Sequence, residues 1–573
     1  MSFWHLFVRI LFQRPLSALE ALFWYLTRRR VRANNRLRAA AADLPIAYEL
    51  WISTVEKPRD AKALETAKDA KHAHALWFTA IIYGGDTRAT ELTVQSLTQQ
   101  IYDKWGAIVL APRPADVAYC SSRVRYQASL RQAIAKSTSD YIVMVEAGAL
   151  LPPLALLRYA EAVQQNCRAT VLYGDQDEMT ADGDRQNPWF KPAWNREMFL
   201  AQDYLSGAAA IDRAAAREAT RAIAGELDFA NLLLRITASP GASIVHIPHV
   251  LSHLPPHGRE IGSSARLHGV AAIVEAEGGK AVPGPFGTTK VEWPLPQELP
   301  LVSILVPTRD KVDLLRACIT GVLERTDYPN LELIIVDNRS TDPRTISFLS
   351  KFERHPQVRV LAYPHEYNFS ALNNFAAQQA RGSLLCLLNN DTEVLEPQWL
   401  TEMVRYSVRP EIGAVGAKLL YPDGTVQHAG VAIGIGGAAG HSHRHLSGSE
   451  PGYFRQAHVA QYVSAVTAAC LLVDKRKYQE VGGLDERDLQ VAFNDVDFCL
   501  KLQARGYRNV YVPHAVLLHH ESKSRGSDAA PRNIARYTRE LHALQQRWQT
   551  ESYNDPTHSP NLDRSSERFI VGL

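Results

Sequence analysis

The sequence predicts an α/β protein of two tandem domains, each built on a mostly parallel sheet, behind an amphipathic helical segment at the amino terminus. Three observations carry this prediction. Apolar runs that stop at polar clusters alternate with helical stretches through the second half of the chain. The same order of apolar runs recurs in the first half. The first 38 residues, in contrast, are basic and apolar together.

In the second half, Leu384-Leu385-Cys386-Leu387-Leu388 is apolar at every position, the pattern of a strand buried on both faces, and it ends at Asn389-Asn390-Asp391-Thr392-Glu393. The carboxyl ends of such strands are where open α/β sheets bind ligands. Asp391 with its flanking asparagines offers hard oxygen donors for Mg²⁺ or Mn²⁺, an ion that grips a diphosphate. An Asx-rich turn closing the strand reads the same way. Upstream, Leu331 to Val336 ends in Asp337 and the turn residues Asn338, Ser340, Asp342 and Pro343. Val302 to Thr308 is a further strand, followed by a helical stretch from Leu314 to Glu324. This alternation implies right-handed crossovers and a parallel sheet whose strand ends share one edge, so Asp337 and Asp391 face one crevice. Downstream, Gly482-Gly483-Leu484-Asp485 marks a turn and Phe493 to Leu502 a new helix. Asn494 or Asp495 at its start is an N-cap, or Asp495 is a base that takes a proton from an attacking hydroxyl. After the strand Val510 to Pro513, His519 and His520 are metal ligands or solvated loop residues.

Taken in order, Val306-Pro307-Thr308, Val336 to Asp342, Leu388 to Glu393, Val481 to Glu486, Asn494-Asp495-Val496-Asp497 and His519 to Arg525 resemble the motifs of inverting family 2 glycosyltransferases of the GT-A fold. The resemblance is to the bacterial rhamnosyltransferase-like members that build surface polysaccharides. It implies two GT-A-like, Rossmann-like domains, a nucleotide-diphosphate sugar donor, a glycan or lipid-linked acceptor, and Mg²⁺ or Mn²⁺ as cofactor. It assigns nucleotide contacts to Pro307, Thr308, Asp337, Asn338, Asp342 and Asn390, and metal binding to Asp391 with His519 and His520. Asp495 becomes the catalytic base, and Asn494 and Asp497 lie beside the donor or acceptor sugar. Two departures stand out: Asn389 replaces the first acid of the metal motif, and Asn494 precedes Asp495 in place of a glutamate. The alternative is a non-catalytic carbohydrate-binding or scaffold protein, of which these two asparagines are early signs of decay.

The first half reads as the same domain with its chemistry removed. Trp77 to Tyr83 matches the opening strand, Leu92 to Ile101 its helix, Ala107 to Pro112 the second strand and Tyr141 to Gly148 the strand Leu384 to Asp391. Ala111, Gly148 and Phe229 then stand opposite Asp337, Asp391 and Asp495, with Asp228 one residue from the last register. The acidic cluster Asp175, Asp177 and Glu178 falls opposite the stretch around Asp423 and is expected to be a solvated loop. The resulting division is a basic amphipathic segment at 1–42, a helical linker at 43–75, a degenerate domain at 76–280, a Pro/Gly-rich linker at 281–300, the catalytic domain at 301–530 and a helix with a tail at 531–573.

A length of 573 residues suits two cores, and 46% apolar with 21% charged residues is ordinary for a globular protein. None of the six cysteines forms a C-x-x-C pair, which favours reduced core thiols in a cytoplasmic protein. Residues 1 to 38 hold eight arginines against Glu20, so this segment carries +7 and the remainder −4 of the net +3. Arg9, Arg14 and Glu20 interrupt its apolar stripes, which excludes a spanning helix and predicts an in-plane anchor on the inner face of the cytoplasmic membrane, or a helix packed on the first domain. The basic excess is confined to this apolar terminus, which argues against nucleic-acid binding. Finally, the glycine-rich stretch Gly430 to Gly440 and the alternating His441, His443 and His445 are expected to form a mobile flap beside the site.

Overall fold

The computed structural model describes residues 3–26, 30–42, 44–69, 76–111, 123–223, 227–256, 264–352, 354–521 and 531–573. In the second domain, Val302–Thr308 lies between Leu331–Asp337 and Leu384–Leu388 and is parallel to both, with Val358–Ala362 parallel at the edge. Past Leu384–Leu388 the sheet continues with Cys470–Asp474, antiparallel to it, then Ile412–Leu420, and then Arg508–His519 parallel to Ile412–Leu420. Thr392–Val394 pairs with the far end of Arg508–His519, which sets Thr392 opposite His519.

The first domain repeats this order. Phe78–Tyr83 lies between Trp105–Leu110 and Tyr141–Glu146, and the sheet continues through Ala210–Asp212, Val171–Met179 and Ile244–Leu254. The likeness extends to single residues, since Phe78 pairs with Trp105 and Tyr141 as Val302 pairs with Leu331 and Leu384. By this register Ala111 stands to Trp105 as Asp337 to Leu331, and Gly148 to Tyr141 as Asp391 to Leu384. Leu254 ends its strand where His519 ends the matching one.

Asp175 and Asp177 are not in a solvated loop. Both lie within the strand Val171–Met179 and each is 1% exposed. Asp175 meets His246 Nε2 at 2.8 Å and accepts from Asn561 Nδ2 of the carboxyl-terminal tail at 2.9 Å. Asp177 accepts from the Tyr48 hydroxyl at 2.6 Å, pairs with Arg185 Nε at 2.5 Å and meets His253 Nδ1 at 2.5 Å. Arg185 also pairs with Glu56. Buried carboxylates are tolerated only when charge and lone pairs are both met, and partners from three remote segments meet them here.

The Pro/Gly-rich span 281–300 carries regular structure. Lys280–Pro283 and Thr289–Glu292 form a hairpin, followed by Trp293, which is buried and donates from Nε1 to Glu197 at 3.1 Å. Arg409 of the second domain stacks over that indole and pairs with Glu197 at 2.9 Å. Asn195 exchanges two hydrogen bonds with the backbone of Tyr462, and Trp189 stacks on Phe454 at 4.3 Å, so the two domains share a continuous apolar core. Among the described cysteines, Cys318, Cys386, Cys470 and Cys499 are buried free thiols and Cys167 is exposed; Cys120 lies outside the described residues.

At the amino terminus, Phe3–Leu11, Pro15–Leu26 and Arg30–Ala41 pack on one another through Leu6, Phe7, Ile10, Ala18, Ala21 and Leu37, with Leu573 of the tail against the same cluster. The break before Pro15 follows from its missing N–H and fixed φ. Phe12 is 84% and Leu16 82% exposed, which leaves an apolar face outward. Among the described residues no helix is long and apolar enough to cross a membrane. Asp177→Ala is expected to destabilise the protein by about 3–5 kcal/mol, because Arg185, His253 and Tyr48 lose a shared buried partner. Chemical denaturation checks it, and an unchanged midpoint would remove the network from the account.

Candidate active site

The carboxyl ends of the central strands of the second sheet open into a cavity of about 830 Å³, within the size range of small-molecule sites. Pro307 and Thr308 line it from Val302–Thr308, and Asn389 and Asn390 from the end of Leu384–Leu388. Asn390 Nδ2 donates to Thr308 Oγ1 at 2.9 Å, which ties the two strand ends together. Asp391 is buried directly behind, and its Oδ1 lies 3.3 Å from His519 Nε2, which lines the cavity. Asn389 Nδ2 lies 3.3 Å from the same imidazole nitrogen. The antiparallel return is what brings His519 here, since its register partner Thr392 immediately follows Asp391.

Asp495 enters the same cavity from the first turn of the helix Asn494–Ala504. Its Oδ2 accepts from Ala468 N at 3.0 Å and its Oδ1 from Val496 N at 2.9 Å. Ala469 O in turn accepts the Asn389 N–H, so one turn, Thr467 to Ala469, fixes the end of the strand Leu384–Leu388 and the helix start together. Burial raises the Asp495 carboxyl above the usual aspartate range, although the Ala468 and Val496 N–H groups pull it down. Phe493, which precedes the helix, has φ 60°, a conformation costly for a bulky residue and common beside functional sites. Asn494 also lines the cavity, but its Nδ2 donates to Val491 O at 3.1 Å.

Four expected site residues make contacts within the fold. Asn338 donates to the carbonyls of Tyr363 and His365 at 3.2 and 2.8 Å, which staples the loop after its strand. Asp342 caps the helix Pro343–Ser350 through Arg344 N at 3.0 Å. Asp497 is fully buried and receives Arg547 Nη1 at 2.8 Å and Trp548 Nε1 at 2.9 Å, which locks the carboxyl-terminal helix in place. His520 Nε2 meets Glu393 at 2.7 Å, so of the two histidines it is His519 that pairs with Asp391. Asp337 does not line the cavity; it accepts from Ser340 N at 3.1 Å beside its register partner Thr308.

Sequence reasoning missed Arg309, Asp310 and Lys311, which line the cavity just past Thr308. Asp310 accepts from Asp342 N at 2.8 Å and Thr341 N at 2.7 Å, and these bonds hold its carboxyl below the usual range. The positive φ of Asp310 and Lys311 is the local consequence, and no composition signal marks it. The glycine-rich stretch is not a flap. Val431–Ile433 and Ala439–His441 form a hairpin held by the tail: Ile433 N donates to Asp555, Gly436 N to Arg564 O and His441 N to Glu567. Burial pushes His441 down to about 4 and His443 to about 3, so both are neutral imidazoles in a packed wall. Beside them Glu521 meets the Tyr421 hydroxyl at 2.5 Å and Arg444 at 3.1 Å; burial would raise it, but these partners hold it low.

Among the described residues, the corresponding face of the first domain lacks this set. Ala111, Gly148 and Leu254 hold the places of Asp337, Asp391 and His519 by sheet register. Asp228, one residue from the expected register of Asp495, caps its own helix through Asn231 N at 2.7 Å, and Phe229 is buried.

Residues 303–471 match the family model Glycosyl transferase family 2. The chain is 39% identical over 460 residues to an uncharacterized protein of Sinorhizobium fredii, covering 77% of this chain and 50% of that protein. It is 33% identical over 521 residues to the O-antigen biosynthesis protein RfbC of Myxococcus xanthus, covering 84% of this chain and 40% of that one. It is 26% identical over 252 residues to the N-acetylglucosaminyl-diphospho-decaprenol L-rhamnosyltransferase of Mycobacterium tuberculosis, covering 40% of this chain and 79% of that enzyme. The chain thus spans half or less of the length of the first two relatives. With the motif order, the sheet topology and these matches in agreement, the second half of the chain carries a glycosyl transferase family 2 domain over residues 303–471.

Proposed function

We propose that the chain is an inverting, metal-dependent glycosyltransferase that moves a sugar from a nucleotide-diphosphate donor to a lipid-linked or polysaccharide acceptor in surface-glycan synthesis. The observation that carries this reading is the approach of the Asp391–His519 pair and Asp495 to one cavity at the carboxyl edge of the sheet. The names of the Myxococcus and Mycobacterium relatives favour surface polysaccharide and a rhamnosyl donor, and the latter favours a diphospho-lipid acceptor.

The acceptor hydroxyl gives its proton to Asp495, whose raised basicity suits that task, while the sugar leaves its diphosphate in one displacement that inverts the anomeric carbon. Arg309 and Lys311, at the Thr308 end of the cavity, supply positive charge for the diphosphate. Among the described residues no three His, Cys, Asp or Glu side chains form a metal-binding cluster. One carboxylate and one imidazole, with the Asn389 amide beside them, nevertheless fit Mg²⁺ or Mn²⁺, with the remaining positions left to diphosphate and water. A bound divalent ion offsets charge on the departing diphosphate. The first domain, without these groups, acts as support or as an acceptor-binding surface. The basic amino-terminal helices hold the enzyme on the inner face of the cytoplasmic membrane, with Phe12 and Leu16 entering the lipid interface.

Asp495→Asn is expected to lower turnover by about 10²–10⁴ with donor affinity retained; a parallel loss of donor affinity would assign Asp495 to binding instead. Since the base must be ionised, kcat/KM of the native enzyme should fall as pH drops through the raised Asp495 pKa, and a pH–rate profile reads this limb directly. His519→Ala should weaken Mn²⁺ binding in the presence of nucleoside diphosphate by about tenfold or more, whereas His520→Ala should leave it nearly unchanged. Paramagnetic resonance titration separates the two, and equal losses would contradict the assignment. Phe12→Ser and Leu16→Ser should each reduce liposome affinity by about tenfold, since each removes a large apolar side chain from the lipid contact. Flotation unchanged by both substitutions would detach the protein from the membrane.

A further inference from the structure

A second cavity, of about 640 Å³, lies between the amino-terminal helices and the carboxyl-terminal tail. Arg14, Arg36 and Arg38 line it from the helices, and Ser565, Ser566 and Arg568 from the tail. Asp563 is the acidic side chain in its wall, and Arg36 also reaches Glu20 at 2.7 Å. Guanidinium groups present planar forks of N–H donors matched to phosphate oxygens, and serine hydroxyls add neutral donors. Such a donor set is built for a phosphate or diphosphate.

The surroundings select the kind of phosphate. Arg14 sits in the turn between the first two helices, flanked by Phe12 and Leu16, the two most exposed large apolar side chains of the segment. Anion site and apolar face therefore share an edge. That combination matches an amphiphile with a phosphorylated head and not a soluble anion.

The tail adds a link to catalysis. Ser565, Ser566 and Arg568 face this cleft, whereas Glu567 among them lines the catalytic cavity and accepts the His441 N–H at 2.9 Å. Consecutive Cα atoms are about 3.8 Å apart, so one stretch of tail is the shared wall of both cavities. We propose that the arginine cleft holds the phosphate or diphosphate of a lipid-linked acceptor, with its hydrocarbon chain along the Phe12–Leu16 face and its glycan directed past Glu567 to the catalytic cavity. What the lipid carries rests on the transferase reading; that the cleft takes a lipid phosphate does not.

The test measures vesicle binding of the full chain with no sugar nucleotide present, so that its outcome is independent of transfer. Vesicles of phosphatidylcholine alone are compared with the same vesicles doped with a polyprenyl diphosphate or with phosphatidylglycerol. The polyprenyl diphosphate should raise affinity by about tenfold or more over phosphatidylcholine, and by more than phosphatidylglycerol does. Arg38→Ser combined with Arg568→Ser should abolish that increase and leave binding to phosphatidylcholine intact, which also shows that the helices remain folded. Excess inorganic diphosphate should reduce that increase toward the phosphatidylcholine value, by competing for the arginines, and leave binding to phosphatidylcholine itself intact. Equal affinity for all three vesicles, an increase that survives the double substitution, or an increase untouched by excess inorganic diphosphate would each overturn the proposal while leaving transfer chemistry untouched. Conversely, loss of activity in Asp495→Asn with vesicle binding unchanged keeps the two readings separate.

Discussion

The burial of Leu384–Leu388 on both faces is the constraint from which the rest of the second domain follows. Leu384, Cys386 and Leu388 enter one apolar core, and Leu385 and Leu387 enter the other. A slip of one residue would draw Ser383 or Asn389 into the apolar interior in place of a leucine, so the ends of the run fix the register, each buried leucine contributing about 1.5–3 kcal/mol. Once the register is fixed, the chain must leave the sheet at Asn389. Asp391 then falls behind the cavity wall, where the end of Arg508–His519 meets it. The position of the acidic group is thus a result of apolar packing several residues away.

The same constraint shapes the first domain with a different outcome. Its sheet keeps the strand order and register of the second, yet Ala111, Gly148 and Leu254 occupy the strand ends. Its polar investment lies elsewhere, in Asp175 and Asp177, which bind a helix before the domain and a tail after the other one. The tail also anchors the glycine-rich hairpin and contributes Glu567 to the cavity at the carboxyl edge of the second sheet. Stability of the first domain and shape of the site are therefore linked through one covalent segment.

The parts of this architecture that were legible in the sequence are those encoded locally. Apolar runs and their polar stops placed the central strands, and their carboxyl ends placed Asp337 and Asp391 at one edge, whereas Thr308, Asn390 and Asp495, the last at a helix start, were assigned by the family resemblance. What was not legible depends on partners far along the chain. Asp175 and Asp177 look like a solvated acidic loop because Tyr48, His253 and Asn561, which satisfy them, are far away in sequence. Asn338, Asp342 and Asp497 carry family-type positions, but their side chains close a loop, a helix end and a helix–helix contact. The glycines of Gly430 to Gly440 suggest mobility, whereas the tail that pins them follows only after a further helix. Arg309 and Lys311 escaped notice because nothing in a charged loop reveals that backbone strain turns it toward a cavity.

The most direct test of the account is the position of a bound ion. Crystals grown with Mn²⁺ and a nucleoside diphosphate, measured at the manganese edge, should show a single strong anomalous peak between Asp391 and His519, with the diphosphate on the side of Arg309 and Lys311. A peak at the Asp175–Asp177 cluster, or nucleotide density remote from Asp495, would contradict it.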